Sequence, residues 1–322
     1  PQFLEFGRCW TDTVAQLPAG VLPPQWQLLA AVSAFPGAIE KHRARGVPEA
    51  ITRATLLDLQ RRMDEHLARD GKWEFRSLSW TRNHVGGRFF EIGRLQYVPG
   101  AFRYAFRVYR DQRTGAAVPL ALPGLHCTPD GWPQDEASGF ITTLDERADG
   151  IFGHPATANG SIAPSPIKIA PGSPRLLDEY STVVYIHIPW GGKLERAQCV
   201  ASLQEAKIFF KEHFPEIEAR AFCTATWLLD PELGRVLPTH SNIVAFGRLF
   251  RPLAQQNAGD GQLLERVFGR DATWENCVAQ NSLQKAVLEH HRHGGRFRST
   301  AGFILPEEIG RPNALQTAAI QR

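Results

Sequence analysis

The sequence lacks the features of membrane-spanning, secreted and disulfide-rich proteins. None of its 322 residues belong to an apolar run near the roughly 18 residues that cross a bilayer. Residues 1–22 have neither the basic start nor the apolar middle of a signal peptide. The five cysteines are odd in number and never spaced Cys-x-x-Cys, which argues against a disulfide framework and a structural zinc site. We therefore expect a soluble, cytoplasmic protein with reduced thiols.

A strong charge imbalance is also missing. The net charge is only +3, from 36 Lys and Arg against 33 Asp and Glu, and no long block of one sign occurs. This argues against a surface that follows a nucleic-acid backbone. The histidines of segment 290–293 cannot all face one metal on a helix, so no metal site is predicted. With 43% hydrophobic and 21% charged residues, the chain has the composition of a folded globular protein.

The coarse organisation follows from the spacing of apolar residues. Segment 23–67 has helical spacing, whereas segment 72–108 is aromatic and is predicted to be extended. Strict alternation over 102–108 predicts a strand with one solvated face, followed by a hairpin turn at 111–115. The Pro- and Gly-rich stretch 123–174 is predicted to be a loop-rich domain joint or lid.

A strand, a glycine turn and a helix follow in the second half. Segment 183–188 is apolar on both faces, as in a central strand, and leads into Gly191-Gly192 and a helix over about 194–214. A second buried strand is predicted over 221–229, ending where Asp230 caps a short helix. A helix near 282–293 and a last strand around 297–305 complete the pattern.

The glycine turn is the best candidate for an anion site. Gly191 and Gly192 can adopt positive φ, and the start of the next helix offers unpaired N–H donors beside the mobile charge of Lys193. The spacing does not fit the phosphate loop GxxxxGK[ST]. The alternative is a tight turn required only for packing.

Two titratable side chains are candidates for a general base, each with a structural alternative. His187 lies in the strand before the turn and is either a base or a hydrogen-bonded core residue. Glu91 is flanked by aromatics and is either a base with a raised pKa or the partner of Arg94 in a salt bridge. Cys199 and Cys223 are predicted to be buried core thiols, which leaves a Cys–His hydrolase as a distant third possibility.

Several motifs distributed over nearly the whole chain resemble one family. The motifs are Arg45-Gly46-Val47-Pro48-Glu49, Thr55-Leu56-Leu57-Asp58-Leu59, Glu91-Ile92-Gly93-Arg94-Leu95-Gln96, Ile186-His187-Ile188-Pro189, Gly191-Gly192-Lys193-Leu194, Cys199, Ser202, Trp227-Leu228-Leu229-Asp230-Pro231, Leu237-Pro238, Ser241-Asn242-Ile243 and Ser282-Leu283-Gln284-Lys285-Ala286. On these motifs the sequence is similar to bacterial acyltransferase-domain proteins of GNAT-like type, which join an N-acyltransferase-like N-terminal region to a GNAT-like C-terminal domain.

The resemblance implies an α/β (α+β) fold, with a GNAT-like mixed, splayed β-sheet flanked by helices and a largely helical N-terminal region. It implies an N-acyltransferase-like region over 1–145, a GNAT-like acyl-CoA-binding domain over 146–310 and a tail over 311–322. Acyl-CoA, with acetyl-CoA among the candidates, is the implied co-substrate, and no tightly bound cofactor is expected. The resemblance places the acyl-CoA between strands 183–188 and 221–229, with its pyrophosphate at the glycine turn.

The implied reaction is direct attack of a small amine on the CoA thioester. The residues assigned to the acyl-CoA are Ile188, Gly191, Gly192, Lys193 and Leu194, and those assigned to catalysis are Glu91, His187, Ser241 and Tyr185. Residues expected to contact substrate are Arg94, His154, Trp227 and Asn242. No nucleic acid or membrane is an expected partner. The turn lacks the strict Q/R-x-x-G-x-G/A signature, so the alternative is a catalytically degenerate GNAT-like module that binds a ligand or partner.

Overall fold

The computed structural model describes residues 24–73, 75 and 78–311, which form two compact units. Unit 1 contains the described residues up to Pro99, together with Val184–Lys193 and Ala197–Glu218. Unit 2 contains Gly100–Val183, Leu194–Arg196 and the chain from Ala219 onward. Cys9 and most of the predicted tail lie outside the described residues. The two units alternate along the chain.

The helices confirm the predicted helical start of the chain. Segment 23–67 contains three of them, and α3 begins directly after Pro48, which suits a helix start. The helices are α1 (Pro24–Ser33), α2 (Phe35–Ala44), α3 (Glu49–Asp70), α4 (Leu78–Val85), α5 (Arg196–His213), α6 (Leu233–Val236), α7 (Asn242–Gly247), α8 (Gly261–Phe268) and α9 (Ser282–Arg292).

The strands are β1 (Phe90–Ile92), β2 (Leu95–Ala101), β3 (Phe106–Arg110), β4 (Ala117–Ala121), β5 (His126–Cys127), β6 (Phe140–Ile141), β7 (Leu144–Arg147), β8 (Gly150–Gly153), β9 (Ile167–Ile169), β10 (Arg175–Leu177), β11 (Thr182–His187), β12 (Phe222–Thr226), β13 (Arg251–Leu253) and β14 (Thr300–Ile304). The hairpin of β3 and β4 confirms the turn predicted at 111–115, and β11, α9 and β14 lie where the sequence predicts a strand, a helix and a strand.

In unit 1, strands follow the order β1-β2-β11, and α3 contacts β1. The predicted apolar face of α5 is confirmed, since Leu203, Ala206, Phe210 and Phe214 are all buried. The ring of Phe90 lies 4.9 to 5.8 Å from three α5-side phenylalanine rings, those of Phe209, Phe210 and Phe214. Because β11 adjoins β2 and α5 packs on β1, these late segments belong to the unit formed by the start of the chain.

Unit 2 contains four groups of strands. Their orders are β12-β14-β13, β10-β3-β4, β5-β6 and β7-β8-β9. Both pairs in the first group are antiparallel, and β13, with Pro252 at its centre, is the outer strand. Gly160 lies against β13, and a Cβ there would come within 2.9 Å of Pro252 Cβ. The backbone N–H of Ala254 donates to Gly160 O at 2.8 Å.

Four local predictions are wrong. Residues 78–85 form helix α4 rather than a strand, because Thr81 and His84 are buried at helical spacing within the aromatic run. The strand predicted from 102 begins at Phe106. The loop-rich stretch 123–174 contains strands β5 to β9. The strand predicted over 221–229 ends at Thr226, because its hydroxyl accepts from Leu228 N–H and starts a 3₁₀ turn.

Candidate functional site

The glycine turn of unit 1 has the conformation that an anion site requires. Gly191 and Gly192 have φ of +81° and +72°, in the left-handed region. Among the described residues, none accepts a hydrogen bond from the backbone N–H groups of segment 190–193. Helix α5 begins three residues after Lys193, so its positive dipole end lies just beyond the turn. These donors can therefore receive an anionic ligand.

Arg94 is bound to the backbone of this same turn. Its Nε donates to Lys193 O at 2.9 Å, and its Nη2 donates to Gly191 O at 2.9 Å and to Gly192 O at 3.2 Å. Its Nη1 donates to Pro189 O at 3.4 Å. The sequence predicts Arg94 as a substrate contact or as the partner of Glu91. The structure instead places its guanidinium on four carbonyl oxygens.

Glu91 forms its ion pair with Arg61 of α3, so the predicted Glu91–Arg94 salt bridge is wrong. The two guanidinium–carboxylate distances are 2.7 and 2.9 Å, and Gln96 Nε2 donates to Glu91 at 2.8 Å. Arg94 is unavailable because it lies in the tight turn between β1 and β2 and binds the glycine turn. The Glu91 side chain is only 12% exposed, and its carboxylate is held by three donors.

Asp58, which the sequence does not predict as a site residue, is the centre of the polar network in unit 1. One carboxylate oxygen accepts from Arg62 Nε at 2.8 Å and from His84 Nε2 at 3.0 Å, and the other accepts from Gln96 Nε2 at 2.7 Å. Burial alone raises the pKa of Asp58. The hydrogen bond from His84 and the charge of Arg62 outweigh it and hold that pKa well below its usual range. Asp58 is therefore an ionised, buried carboxylate.

His187 is connected to this network by Arg62. The Nη2 of Arg62 lies 3.1 Å from His187 Nε2, and because a guanidinium only donates, Nε2 is the acceptor. The indole of Trp80 lies 4.5 Å from the His187 ring and 5.1 Å from the Arg62 guanidinium carbon. His187 is therefore a half-buried residue with an arginine hydrogen-bonded to one ring nitrogen.

The other predicted site residues divide between the units. Tyr185 and Ile188 lie in unit 1, half-buried on either side of His187. Leu194 falls in unit 2, directly after the turn. The remaining four, which also belong to unit 2, are Ser241, Asn242, Trp227 and His154.

Two of these unit 2 residues are packed within their own unit. His154 is 5% exposed, lies 2.9 Å from Ala163 O through Nδ1 and stacks on Phe140. Trp227 is 9% exposed. Ser241 directly precedes α7 and is half-buried, whereas Asn242 is exposed.

The cysteines behave as predicted for core thiols. Cys199 and Cys223 are free and buried, and burial raises the pKa of both thiols. A buried, protonated thiol is a poor nucleophile, which argues against a Cys–His hydrolase. Within the described ranges, no three His, Cys, Asp or Glu side chains are grouped to hold a metal ion. In the same part of the chain, no helix has the length and apolar character to span a membrane.

Three solved structures share this fold. An acyltransferase in complex with CoA and 10C-teicoplanin is 21% identical, with a TM-score of 0.59 over 94% of this chain and 77% of that one. An acyltransferase in complex with decanoyl-CoA is 23% identical, with a TM-score of 0.59 over 94% and 76%. A mutant acyltransferase in complex with octanoyl-CoA is 22% identical, with a TM-score of 0.57 over 87%. This chain spans only 66% of the length of that mutant.

The family models cover the described chain almost end to end. The model of the N-acyltransferase N-terminal domain matches residues 3–87. The model of the GNAT-like C-terminal domain matches residues 89–304, more than half of the chain. No curated protein matches the sequence. The mixed α and β architecture agrees with these matches, and the chain belongs to the acyltransferase family defined by the GNAT-like C-terminal domain.

Proposed function

We propose that this protein is an acyl-CoA-dependent N-acyltransferase that transfers an acyl group to a small-molecule amine. The observation that carries the proposal is the glycine turn, whose N–H groups in segment 190–193 have no acceptor among the described residues and precede α5. A diphosphate suits such donors. Family membership supports the donor class, and the acyltransferases crystallised with decanoyl-CoA and teicoplanin support an acyl-CoA donor and a small-molecule acceptor.

In this mechanism the amine nitrogen attacks the thioester carbonyl carbon, and a C–N bond forms. The backbone N–H at Ile188 stabilises the oxyanion of the tetrahedral intermediate. The intermediate then collapses, the C–S bond breaks, and CoA leaves as a thiolate that takes a proton from the Tyr185 hydroxyl. Glu91 or His187 accepts the proton lost by the amine.

Both candidate bases are held by arginines. Glu91 carries Arg61 on both carboxylate oxygens, and His187 Nε2 accepts from Arg62. The carboxylate of Glu91 can accept a proton while Arg61 stays in place, because its oxygens carry about four lone pairs. For His187 to accept a proton at Nε2, Arg62 must move away from that nitrogen, because it has a single lone pair.

Thermal melting tests the donor. CoA, acetyl-CoA or decanoyl-CoA at about 100 times its Kd is expected to stabilise the protein by about 2.7 kcal/mol, because a ligand that binds only the folded state shifts the unfolding equilibrium. Gly191→Pro and Gly192→Pro should abolish the shift, since proline cannot adopt the positive φ of the turn. Gly191→Ala should weaken the shift less than Gly191→Pro, because the added Cβ would meet no atom within 4 Å. An unchanged melting temperature with every CoA ligand contradicts the proposal.

Turnover tests the bases. Glu91→Gln and His187→Ala are each expected to lower kcat by about 10²-fold, the usual contribution of a general base, while the Kd for CoA changes little. Release of free CoA thiol from acetyl-CoA in the presence of an amine is the measurement. Wild-type kcat in both variants would show that neither residue is the base.

A second candidate function is a GNAT-like module that binds a ligand or partner without catalysis. The observation that favours it is the engagement of both candidate bases by arginines. The two functions differ in one assay. CoA binding without thiol release, across a panel of primary amines, identifies the binding module.

A further inference from the structure

We propose that Arg94 is a positioning residue that holds the glycine turn in its anion-binding conformation, and that it is not itself a substrate contact. This inference rests on the proposed function, because it concerns the site assigned to the CoA pyrophosphate. The evidence is the convergence of four backbone carbonyl oxygens on one guanidinium, at 2.9 to 3.4 Å.

Peptide geometry gives the consequence for the ligand. In a planar trans peptide, the C=O and N–H bonds point in opposite directions, and the chain has no cis peptide bond among the described residues. Arg94 binds the carbonyls of Pro189, Gly191, Gly192 and Lys193. In each of these four peptides, the N–H group of the next residue therefore points away from the guanidinium. Arg94 thereby withdraws acceptors that would repel a phosphate and leaves the paired N–H groups facing away from its own charge.

The backbone on either side of Arg94 is held by α5, the helix that follows the glycine turn. Arg94 occupies the two-residue loop between β1 and β2, where Ile92 pairs with Leu95. Ser202 of α5 fastens this loop, since its hydroxyl donates to Ile92 O at 2.5 Å and accepts from Leu95 N–H at 3.2 Å. The Tyr97 hydroxyl lies 2.7 Å from the Ser202 hydroxyl oxygen. The β1–β2 hairpin, helix α5 and the glycine turn are thus connected by hydrogen bonds within unit 1.

A guanidinium is needed for this role. Its planar fork donates in several fixed directions, whereas an ammonium is a point charge with three donors on a flexible stem. Arg94→Lys keeps the charge but cannot offer donors in fixed directions to all four carbonyls. Arg94→Met removes both the charge and the donors while retaining a long apolar stem.

The first readout separates the pyrophosphate from the acyl end of the donor. In Arg94→Met the Kd for CoA is expected to rise about 10-fold or more, and in Arg94→Lys by less. With acetyl-pantetheine, which has no pyrophosphate, kcat/KM should stay within about 3-fold of wild type. Arg88→Met, at an exposed arginine just before β1, is the matched control and should leave both values unchanged. The tenfold change corresponds to about 1.4 kcal/mol.

The second readout uses the ligand-free protein. Amide hydrogen exchange of segment 190–193 should accelerate in Arg94→Met and not in Arg88→Met, because only the former frees the turn. If Arg94→Met leaves the Kd for CoA within about 3-fold, or lowers activity with acetyl-pantetheine equally, the positioning role is wrong while the proposed function stands. If wild type does not bind CoA, the proposed function fails, and unchanged exchange in Arg94→Met would then overturn the positioning role as well.

Discussion

Asp58→Ala is expected to lower the free energy of unfolding by about 3 to 5 kcal/mol, the range observed when one partner of a buried ion pair is removed. Asp58 is 2% exposed and accepts from Arg62, His84 and Gln96. Alanine leaves the half-buried guanidinium of Arg62 without its carboxylate and removes an acceptor from both His84 and Gln96. Urea unfolding at pH 7 measures the loss. A loss below about 1 kcal/mol would show that water or rearranged side chains replace the carboxylate.

Asp64→Ala is the matched control, because Asp64 is an exposed carboxylate on the same helix. It should change the unfolding free energy by no more than about 0.5 kcal/mol. The pH dependence gives a second check. The pKa of Asp58 is depressed in the folded state, so its stabilisation is present above the ordinary value of 3.8 and is lost as the pH falls below it. The difference between wild type and Asp58→Ala should therefore shrink in acid.

Asp230 is expected to have the opposite effect on stability. Burial raises its pKa from 3.8 to about 7, although backbone N–H groups of Arg298 and Glu232 donate to its carboxylate. The folded protein therefore favours the protonated acid. Its contribution to stability is fully present below about pH 4 and is lost as the pH rises through about 7, a change of about 4 kcal/mol.

Asp230→Asn removes the titration and should flatten this part of the pH profile. The amide also loses one acceptor oxygen, but that cost does not vary with pH. Unfolding free energies at pH 5 and pH 8 are the measurement, with Asp271→Asn, at an exposed position of unit 2, as the control. If wild type and Asp230→Asn differ by the same amount at both values of pH, Asp230 does not titrate in this range.

The elements that the sequence predicts well are those defined by local apolar spacing. The α5 face and the apolar strand β11 are examples, because the period of a helix or strand is visible in neighbouring residues. Helix α4 was hidden because it lies within an aromatic run, and aromatic residues favour strands. Its single tryptophan, Trp80, instead contacts His84 one helical turn later. Residues 227–229 leave the strand because one threonine hydroxyl caps a turn, an effect that no hydropathy pattern records.

The candidate site was predictable in its turn and not in its polar network. Gly191 and Gly192 reveal the turn by residue type alone, and their positive φ confirms that part. The Asp58–Arg62 contact has helical i, i+4 spacing and was detectable from the sequence. In contrast, Glu91 and Arg61 lie 30 residues apart, and Arg94 and Gly191 lie 97 apart. Such pairs depend on how strands and helices meet, which a single sequence does not encode locally.

The outer strand β13 has a consequence for self-association. Exposed strand edges recruit strands from other chains and so nucleate aggregates. β13 has only three residues, and Pro252 at its centre has no N–H to offer an incoming strand. Gly160 lies against it, and the next N–H, that of Ala254, is already bonded to Gly160 O. This edge of the β12-β14-β13 group is therefore protected from β-strand addition by a short strand, a proline and a covering loop.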